Sequence, residues 1–153
     1  YSIVLIYRWP VMAKSSRFVV AVHVVTLLAH EEGKALTSDY IAGSVNTNPV
    51  VIRRILSHLS KAGLISTTEG AGGGTALARA PGKITLAQIL EAVEQGEFFV
   101  LPRNDPNPLC PVGRCVQTIL GQYLDEFKEV MEKAMNRVSV ADILMGVNAA
   151  NKR

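Results

Sequence analysis

Residues 47–64, TNPVVIRRILSHLSKAGL, predict a short helix whose beginning and end are both marked in the sequence. Asn48 is a candidate N-cap, Pro49 suits the first helical position, and Gly63 is a candidate C-terminal cap. At 100° per residue, one face of this helix is apolar, comprising Ile52, Ile55, Leu56 and Leu59. The opposite arc, about 140° wide, has three formal positive charges and no negative one, and comprises Val50, Arg53, Arg54, Ser57, His58 and Lys61.

A second short helix is predicted immediately before the first, over residues 37–45, and Asn46-Thr47 joins the two. A single basic helix face is more often a solvated surface than a binding site. Two short helices joined by a tight polar turn, the second of them basic on its outer face, are instead typical of a helix-turn-helix. We therefore interpret residues 48–62 as a recognition helix.

A β-hairpin is predicted directly after the recognition helix. Residues 64–68 favour one strand, residues 69–74 (EGAGGG) form a glycine-rich tip, and residues 75–79 favour the return strand. Such a hairpin is the wing of a winged helix-turn-helix, and its glycines allow the backbone to approach a DNA groove closely. A glycine-rich loop can also bind a nucleotide phosphate, but this one lacks the Lys-Ser/Thr of a P-loop and no helix follows it at once.

The N-terminal part of the chain predicts a helix from Ser15 or Ser16 to about His30. Its valines would also suit a strand, but the run is long for one strand and contains no turn signal. Because it is apolar nearly all round, we expect this helix at the centre of the core. His23 within it is interpreted as a core histidine rather than a ligand.

The longest periodic stretch covers residues 115–136, or about 33 Å as a helix. It follows a helix over residues 84–94, begun by a Thr85–Gln88 capping box, and a Pro- and Asn-rich loop. A short terminal helix is predicted after it, from a second capping box at Ser139. Apolar side chains recur along the long helix at alternating steps of four and three: Val116, Leu120, Tyr123, Phe127, Val130 and Ala134. Little core remains to cover this seam, so we expect it to pair with a second subunit about a two-fold axis.

Length and composition predict one compact domain with an added element, since the chain has 153 residues and 48% of them are hydrophobic. No apolar run approaches the ~20 residues of a membrane span. Residues 13–83 contain eight Lys and Arg against four Asp and Glu, and residues 84–153 contain seven against nine. Two cysteines are too few for a disulfide scaffold, which predicts a cytoplasmic protein.

The predicted fold is mainly α with a small β-hairpin, in three parts. Residues 1–12 are interpreted as an N-terminal extension or a cloning scar, because Met12 looks like a natural start and no signal-peptide pattern precedes it. Residues 13–83 form a winged helix-turn-helix DNA-binding domain, and residues 84–153 form a helical dimerisation and sensor region. The charge balance predicts that only the basic part faces a polyanion.

These pieces resemble the IscR/NsrR/CymR family of bacterial winged helix-turn-helix repressors. The resemblance covers about residues 14–144 and is most specific where residues 59–65 lead into the glycines at 70–74. The other matching pieces are residues 17–21, 48–56, 80–86 and 91–94. The resemblance implies dimers that bind palindromic operators in double-stranded DNA near promoters. It also implies a recognition helix in the major groove and a wing at the minor groove or backbone.

By position, the resemblance implies that Asn48, Val50, Arg53 and Arg54 contact bases or phosphates. The full candidate DNA-binding set is Lys14, Arg17, Ser38, Asn46, Thr47, Asn48, Val50, Arg53, Arg54, Ser57, His58, Lys61, Gly70, Gly72, Gly73 and Gly74. The chain departs from the family at one point of this interface. Many members have a basic residue just before the wing glycines, whereas this chain has Glu69, which argues against insertion of that side chain into the minor groove.

The second departure concerns the sensor. Members that bind an iron–sulfur cluster use three cysteines in the loop before the long helix, whereas this chain has only Cys110 and Cys115. A cluster or a zinc ion usually requires four protein ligands, and the histidines lie in other helices, so we predict no cluster and no metal.

Two roles of the cysteines stay open. As a redox sensor, Cys115 would react first, because a helix N-terminus and Arg114 both stabilise a thiolate. Cys110, in an extended loop, would then be its resolving partner. Otherwise both cysteines are structural, and the loop lines a pocket for a small-molecule effector between subunits.

The sequence thus predicts a homodimeric, sequence-specific DNA-binding transcriptional regulator, a repressor, with no catalytic activity. One rival is a winged-helix protein-interaction module with little DNA affinity, which the net charge of only +3 and Glu69 favour. Another is a thiol–disulfide enzyme. However, four residues separate Cys110 from Cys115 instead of the two of a redox-active pair, and no βαβ pattern surrounds them.

Overall fold

The computed structural model describes residues 16–94, 96, 99 and 102–152. This part of the chain folds into six α-helices and one two-stranded antiparallel sheet. The elements are α1 (Arg17–His30), α2 (Ser38–Val45), α3 (Pro49–Lys61), β1 (Ile65–Thr68), β2 (Gly74–Leu77), α4 (Leu86–Val93), α5 (Val116–Asn136) and α6 (Val140–Asn151), with a 3₁₀ turn at Pro81–Lys83. The predicted fold, mainly α with a small hairpin, is confirmed. The predicted extension over residues 1–12 lies outside the described residues.

Helix α1 is the centre of the core, as predicted, and α2, α3, α4 and α6 all pack against it. Its buried apolar side chains are at most 4% exposed: Ala21, Val24, Val25, Leu28 and Ala29. The prediction for His23 was wrong. Its ring is exposed, and its Nε2 atom lies 3.0 Å from the Ser44 hydroxyl of α2. At the surface the imidazole has access to water and to the Ser44 hydroxyl, whereas an apolar core would leave its nitrogens without hydrogen-bond partners.

Local side-chain caps and turns set the limits of α2 and α3. Thr37 Oγ1 accepts a hydrogen bond from the third backbone N–H of α2 at 3.2 Å, and Asn48 Oδ1 accepts one from Val50 N–H at 2.8 Å. Between the helices, Asn46 adopts the left-handed conformation (φ 57°, ψ 53°), which a short polar side chain tolerates. Gly63, just after the end of α3, also has a left-handed backbone conformation, with φ 66°. The helix-turn-helix geometry is therefore specified largely by local sequence.

The wing is an antiparallel hairpin, as predicted, but its return strand differs from the prediction. β2 comprises residues 74–77 and not residues 75–79. Leu36, ahead of α2, lies beside this strand and exchanges two backbone hydrogen bonds with Thr75, at 2.9 and 2.8 Å. Gly74 belongs to the strand and not to the tip, because it pairs with Thr68 of β1. A Cβ at Gly74 would lie 2.8 Å from the Ala35 carbonyl carbon. This close backbone approach is the physical reason for a glycine at residue 74.

Both predicted capping boxes are present. Thr85 and Gln88 exchange backbone-to-side-chain hydrogen bonds of 3.1 and 3.3 Å at the start of α4. Ser139 and Asp142 do the same at the start of α6, at 2.7 and 3.2 Å. The Ser139 hydroxyl and backbone N–H both donate to the Asp142 carboxylate, and these bonds lower the pKa of Asp142 below its ordinary value.

One core joins the winged part of the chain to α4 and α6. The side chains of Ile84, Ile89, Val93 and Val140 are fully buried in the same cluster as α1 and α3. Val140 N–H also donates to the Ile84 carbonyl at 2.9 Å, which fixes the start of α6 beside the start of α4. The hydrophobic core is thus continuous across the boundary predicted between residues 83 and 84. The division into a DNA-binding domain and a dimerisation and sensor region at that boundary stays a prediction.

Helix α5 differs from the others because none of its 21 residues is buried. It contacts α4 on one side. Neither α5 nor any other helix in the described ranges is long and apolar enough to cross a membrane.

Candidate nucleic-acid interface

The inner and outer faces of α3 are sharply divided. The apolar face predicted from the sequence, Ile52, Ile55, Leu56 and Leu59, is at most 7% exposed. Four exposed side chains follow one another along the opposite face at steps of four, three and four residues. These residues, named here the outer stripe, are Val50, Arg54, Ser57 and Lys61. A helix docked on its inner face therefore presents a continuous row of one apolar, one hydroxyl and two cationic groups.

Arg53 lies beside the outer stripe and is held by α2. Its Nε donates a hydrogen bond to Ser38 Oγ at 3.2 Å, and one terminal nitrogen lies 3.8 Å from Asp39 Oδ1. The Arg53 and Asp39 side chains are 59% and 73% exposed, so this ion pair adds little to stability but sets where the guanidinium lies. Sequence reasoning missed Asp39, because only the tertiary fold brings the start of α2 next to α3.

Arg54 and Lys61 have no hydrogen-bond or ion-pair partner within the described part of the chain, and Arg54 is the outward-facing guanidinium of the stripe. Of the two adjacent arginines, Arg54 is thus the one whose donors face outward without a partner. A guanidinium presents its donors in a planar fork that matches guanine or phosphate oxygens. The geometry distinguishes two residues that the sequence treated alike.

The remaining candidate residues are spread around this surface. Asn46 is exposed and Thr47 is half-buried in the turn, and His58 is half-buried at the far flank of α3. Arg17 donates a hydrogen bond to the Val93 carbonyl at 3.3 Å, so the structure brings it to the end of α4. Lys14 lies outside the described residues.

A further cation near the start of α2 is already neutralised. Lys34 Nζ lies 2.6 Å from Glu31 Oε2, and the Tyr40 hydroxyl lies 3.5 Å from the other carboxylate oxygen. The hydrogen bond from Lys34 lowers the pKa of Glu31, and the same contact raises the pKa of Lys34. Lys34 therefore adds no free positive charge to the interface.

The wing is exposed at its tip and has a single charged side chain. Glu69, Gly70 and Gly72 are all exposed, and the two glycines have φ values of 98° and 80°. Gly73 is half-buried inside the turn, where its N–H donates to the Gly70 carbonyl at 3.0 Å. The wing tip can approach a nucleic acid with backbone groups, whereas its one side-chain charge is negative.

The predicted dimer seam is exposed along α5. Its large apolar side chains are 42–61% exposed in the single chain: Val116, Leu120, Tyr123, Phe127 and Val130. Ala134, the last seam residue, is also exposed. An apolar stripe running the length of a helix is a feature that soluble monomers rarely leave uncovered.

Cys110 and Cys115 are free and exposed. Cys115 is the N-cap of α5. Cys110 does not lie in an extended loop, as predicted, but in hydrogen-bonded turns. Its N–H donates to Asn107 at 3.1 Å, and its carbonyl accepts from Arg114 at 3.0 Å.

A helix-turn-helix with an outward cationic stripe and an adjacent hairpin defines a winged helix-turn-helix protein. A family model described as Rrf2, iron-dependent transcriptional regulator, matches residues 14–146. YwnA of Bacillus subtilis (strain 168), provisionally named an HTH-type transcriptional regulator, is 35% identical over 130 residues, which are 85% of this chain and 96% of YwnA. The chain therefore belongs to the Rrf2 family of transcriptional regulators, which confirms the resemblance found in the sequence.

Solved structures agree with this assignment. A crystal structure provisionally described as that of a DNA-binding protein matches with a TM-score of 0.67 and 35% identity, over 84% of this chain and 99% of that one. The fold is also that of T. potens IscR, with a TM-score of 0.68 and 22% identity over 90% of this chain and 89% of that one.

The described residues do not fit an iron–sulfur cluster, although the description of the family names iron. Clusters usually take four protein ligands, most of them cysteines, and this sequence has two cysteines. Within the described ranges, no three His, Cys, Asp or Glu side chains are placed to hold a metal ion. That the protein works without a cluster stays a prediction.

Proposed function

We propose that the chain is a sequence-specific DNA-binding transcriptional regulator that acts in the cytoplasm as a homodimeric repressor on palindromic operators, without an iron–sulfur cluster and without catalytic activity. The observation that carries the proposal is the outer stripe of α3, in which Arg54 and Lys61 face outward beside an exposed wing. Membership of a family of transcriptional regulators supports the same function.

In the proposed complex, α3 lies in the major groove with its outer stripe toward the bases. Arg54 donates two hydrogen bonds to one guanine, and the Val50 methyl groups contact a thymine methyl. Lys61, the last residue of α3, pairs with a phosphate. Arg53 leaves Asp39 and binds a phosphate instead, because the carboxylate and the phosphate compete for the same exposed guanidinium.

Pairing of two chains through α5 supplies the symmetry of the proposed operator. The exposed seam is self-complementary in chemistry, since it is apolar along its whole length. A two-fold dimer places two copies of α3 on one side of the duplex. Half-sites one helical turn apart, about 34–36 Å, match that arrangement in proteins of this class.

Binding of a random-sequence duplex tests the proposal. We expect measurable affinity that falls steeply with salt, because each neutralised phosphate contributes a slope of about −0.9 in log K against log salt. With two or three cations per subunit, a dimer should give a slope of about −4 to −5. Fluorescence anisotropy between low and physiological salt measures it. Absence of binding across that range would contradict a DNA-binding function.

A second candidate function is a winged-helix protein-interaction module with little DNA affinity. Two acidic groups favour it, since Asp39 lies beside Arg53 and Glu69 is the charged side chain of the wing. Both would repel phosphates at the edges of the interface. The salt-dependence experiment separates the two candidates, because a protein-interaction module would show no such slope.

A cysteine sensor is the first proposal for regulation. Cys115 at the start of α5 would be oxidised by peroxide to a sulfenic acid, with water as the other product, and the Cys110 thiol would then condense with it to a disulfide, releasing a second water. We expect Cys115 to be alkylated faster than Cys110 and an intrachain disulfide after mild peroxide. Mass spectrometry of the treated protein measures both, with DNA affinity measured in parallel.

Equal, slow alkylation of the two cysteines with unchanged DNA affinity after oxidation would leave them with structural roles only. The inducing signal would then be a small-molecule effector.

In the same preparation, absence of cluster absorption after anaerobic incubation with iron and sulfide is the expected result, and a stable chromophore would overturn the cluster-free proposal.

A further inference from the structure

A cleft between α4 and α5 belongs neither to the α3 surface nor to the dimer seam. Its volume is about 390 Å³, within the range of roughly 300–1,000 Å³ typical of sites for small organic molecules. Both helices contribute apolar side chains to its walls, namely Ala87 and Leu90 from α4 and Met131 and Met135 from α5. All four side chains are half-buried, so each leaves part of its apolar surface open to a ligand in the cleft.

The charged groups around this cleft are predominantly acidic. Glu91 comes from α4, Glu94 directly follows that helix, and Glu132 lines the cleft from α5 with a single cation, Lys128. Within the described residues, none of these four charged side chains forms an ion pair. No three acidic, His or Cys groups of the described ranges are placed to hold a metal ion. The cleft thus combines apolar walls with a net charge of about −2 at neutral pH.

We propose that this cleft binds an aromatic organic cation. The three carboxylates attract a positive charge because they outnumber the one cation of the cleft, and the apolar walls contact the apolar part of such a ligand. Methionine is flexible and polarisable, and its sulfur contacts aromatic rings favourably, so Met131 and Met135 suit aryl groups of variable shape and orientation. An anionic ligand would face three carboxylates against the single cation Lys128 in this cleft, and repulsion would outweigh attraction.

The position of the cleft gives such a ligand a route to the DNA-binding surface. Helix α4 packs against α3, and α5 bears the dimer seam. A ligand wedged between α4 and α5 changes the angle between them and hence the separation of the two recognition helices in a dimer. This regulatory role rests on the function proposed above, whereas binding of the cation does not.

Isothermal titration of the full chain with tetraphenylphosphonium tests the site, with triphenylphosphine oxide as a neutral ligand of similar aryl groups. We expect saturable binding of the cation and binding of the neutral compound at least tenfold weaker. Glu91→Gln and Glu132→Gln should each weaken the cation about three- to tenfold, since each removes one nearby charge without changing shape. Glu126→Gln, on an exposed part of α5 outside the cleft, is the matched control and should bind like the parent protein.

Equal affinity for the two ligands, or equal weakening by Glu126→Gln and Glu132→Gln, would overturn the site.

Duplex DNA affinity is then measured with and without saturating cation, and we expect a change of at least fivefold. An unchanged affinity would overturn the regulatory role. Cation binding in a chain that shows no DNA affinity would leave the site standing and overturn the function proposed above.

Discussion

Phe127→Asp should give a well-folded monomer that binds a palindromic duplex no better than an isolated half-site. Phe127 is 54% exposed in the single chain, so the substitution leaves the core of one subunit unchanged. In a dimer, however, it buries two unpaired carboxylates in an apolar seam, at a cost of several kcal/mol. Sedimentation equilibrium measures the loss of the dimer, and fluorescence anisotropy with whole and half operators measures the loss of linkage between half-sites.

The control for this experiment is Gln122→Asp, which adds the same charge to an exposed position of α5 outside the seam. It should remain dimeric and bind DNA like the parent protein. Circular dichroism must show the same helix content in all three proteins. A Phe127→Asp variant that sediments as a dimer with normal affinity for the palindrome would refute the assignment of the seam.

Features with a local physical cause were predictable from the sequence. The capping residues Asn48, Thr85 and Ser139 each form the hydrogen bonds that their side chains favour within one turn. The apolar face of α3 is buried because helical periodicity alone determines which side chains share a face. These signals predicted the position of α3 and its buried face correctly, whereas its role as a recognition helix stays a prediction.

Features set by distant parts of the chain were not predictable in the same way. His23 lies next to the Ser44 hydroxyl of α2, and residue 74 is a glycine because the backbone before α2 lies against it. The contact between Arg53 and Asp39 likewise joins two helices. Periodicity and capping rules contain no information on such pairs, which depend on the packing of one element against another.

Arg54→Ala should lower affinity for the operator about tenfold to a hundredfold and relax the base preference at one position of each half-site. The physical reason is the outward guanidinium, which has no partner among the described residues, since one bidentate arginine–guanine pair provides ~1–3 kcal/mol of discrimination. Operator selection from a random duplex library, followed by anisotropy on single-base variants, measures both effects. Arg53→Ala should cost less, because that guanidinium must first leave Ser38 and Asp39.

Two further variants separate base recognition from simple loss of charge. Lys61→Ala should weaken all sequences alike and reduce the magnitude of the salt slope by about 1 per subunit, since a lysine on a phosphate does not distinguish bases. Lys133→Ala removes a charge from α5, where the lysine pairs with Glu129, and should leave DNA binding unchanged. If Arg54→Ala and Lys61→Ala bind the operator as tightly as the parent protein, then α3 is not the recognition helix. If Arg54→Ala weakens every sequence equally, Arg54 contacts a phosphate and the bases are recognised by other residues.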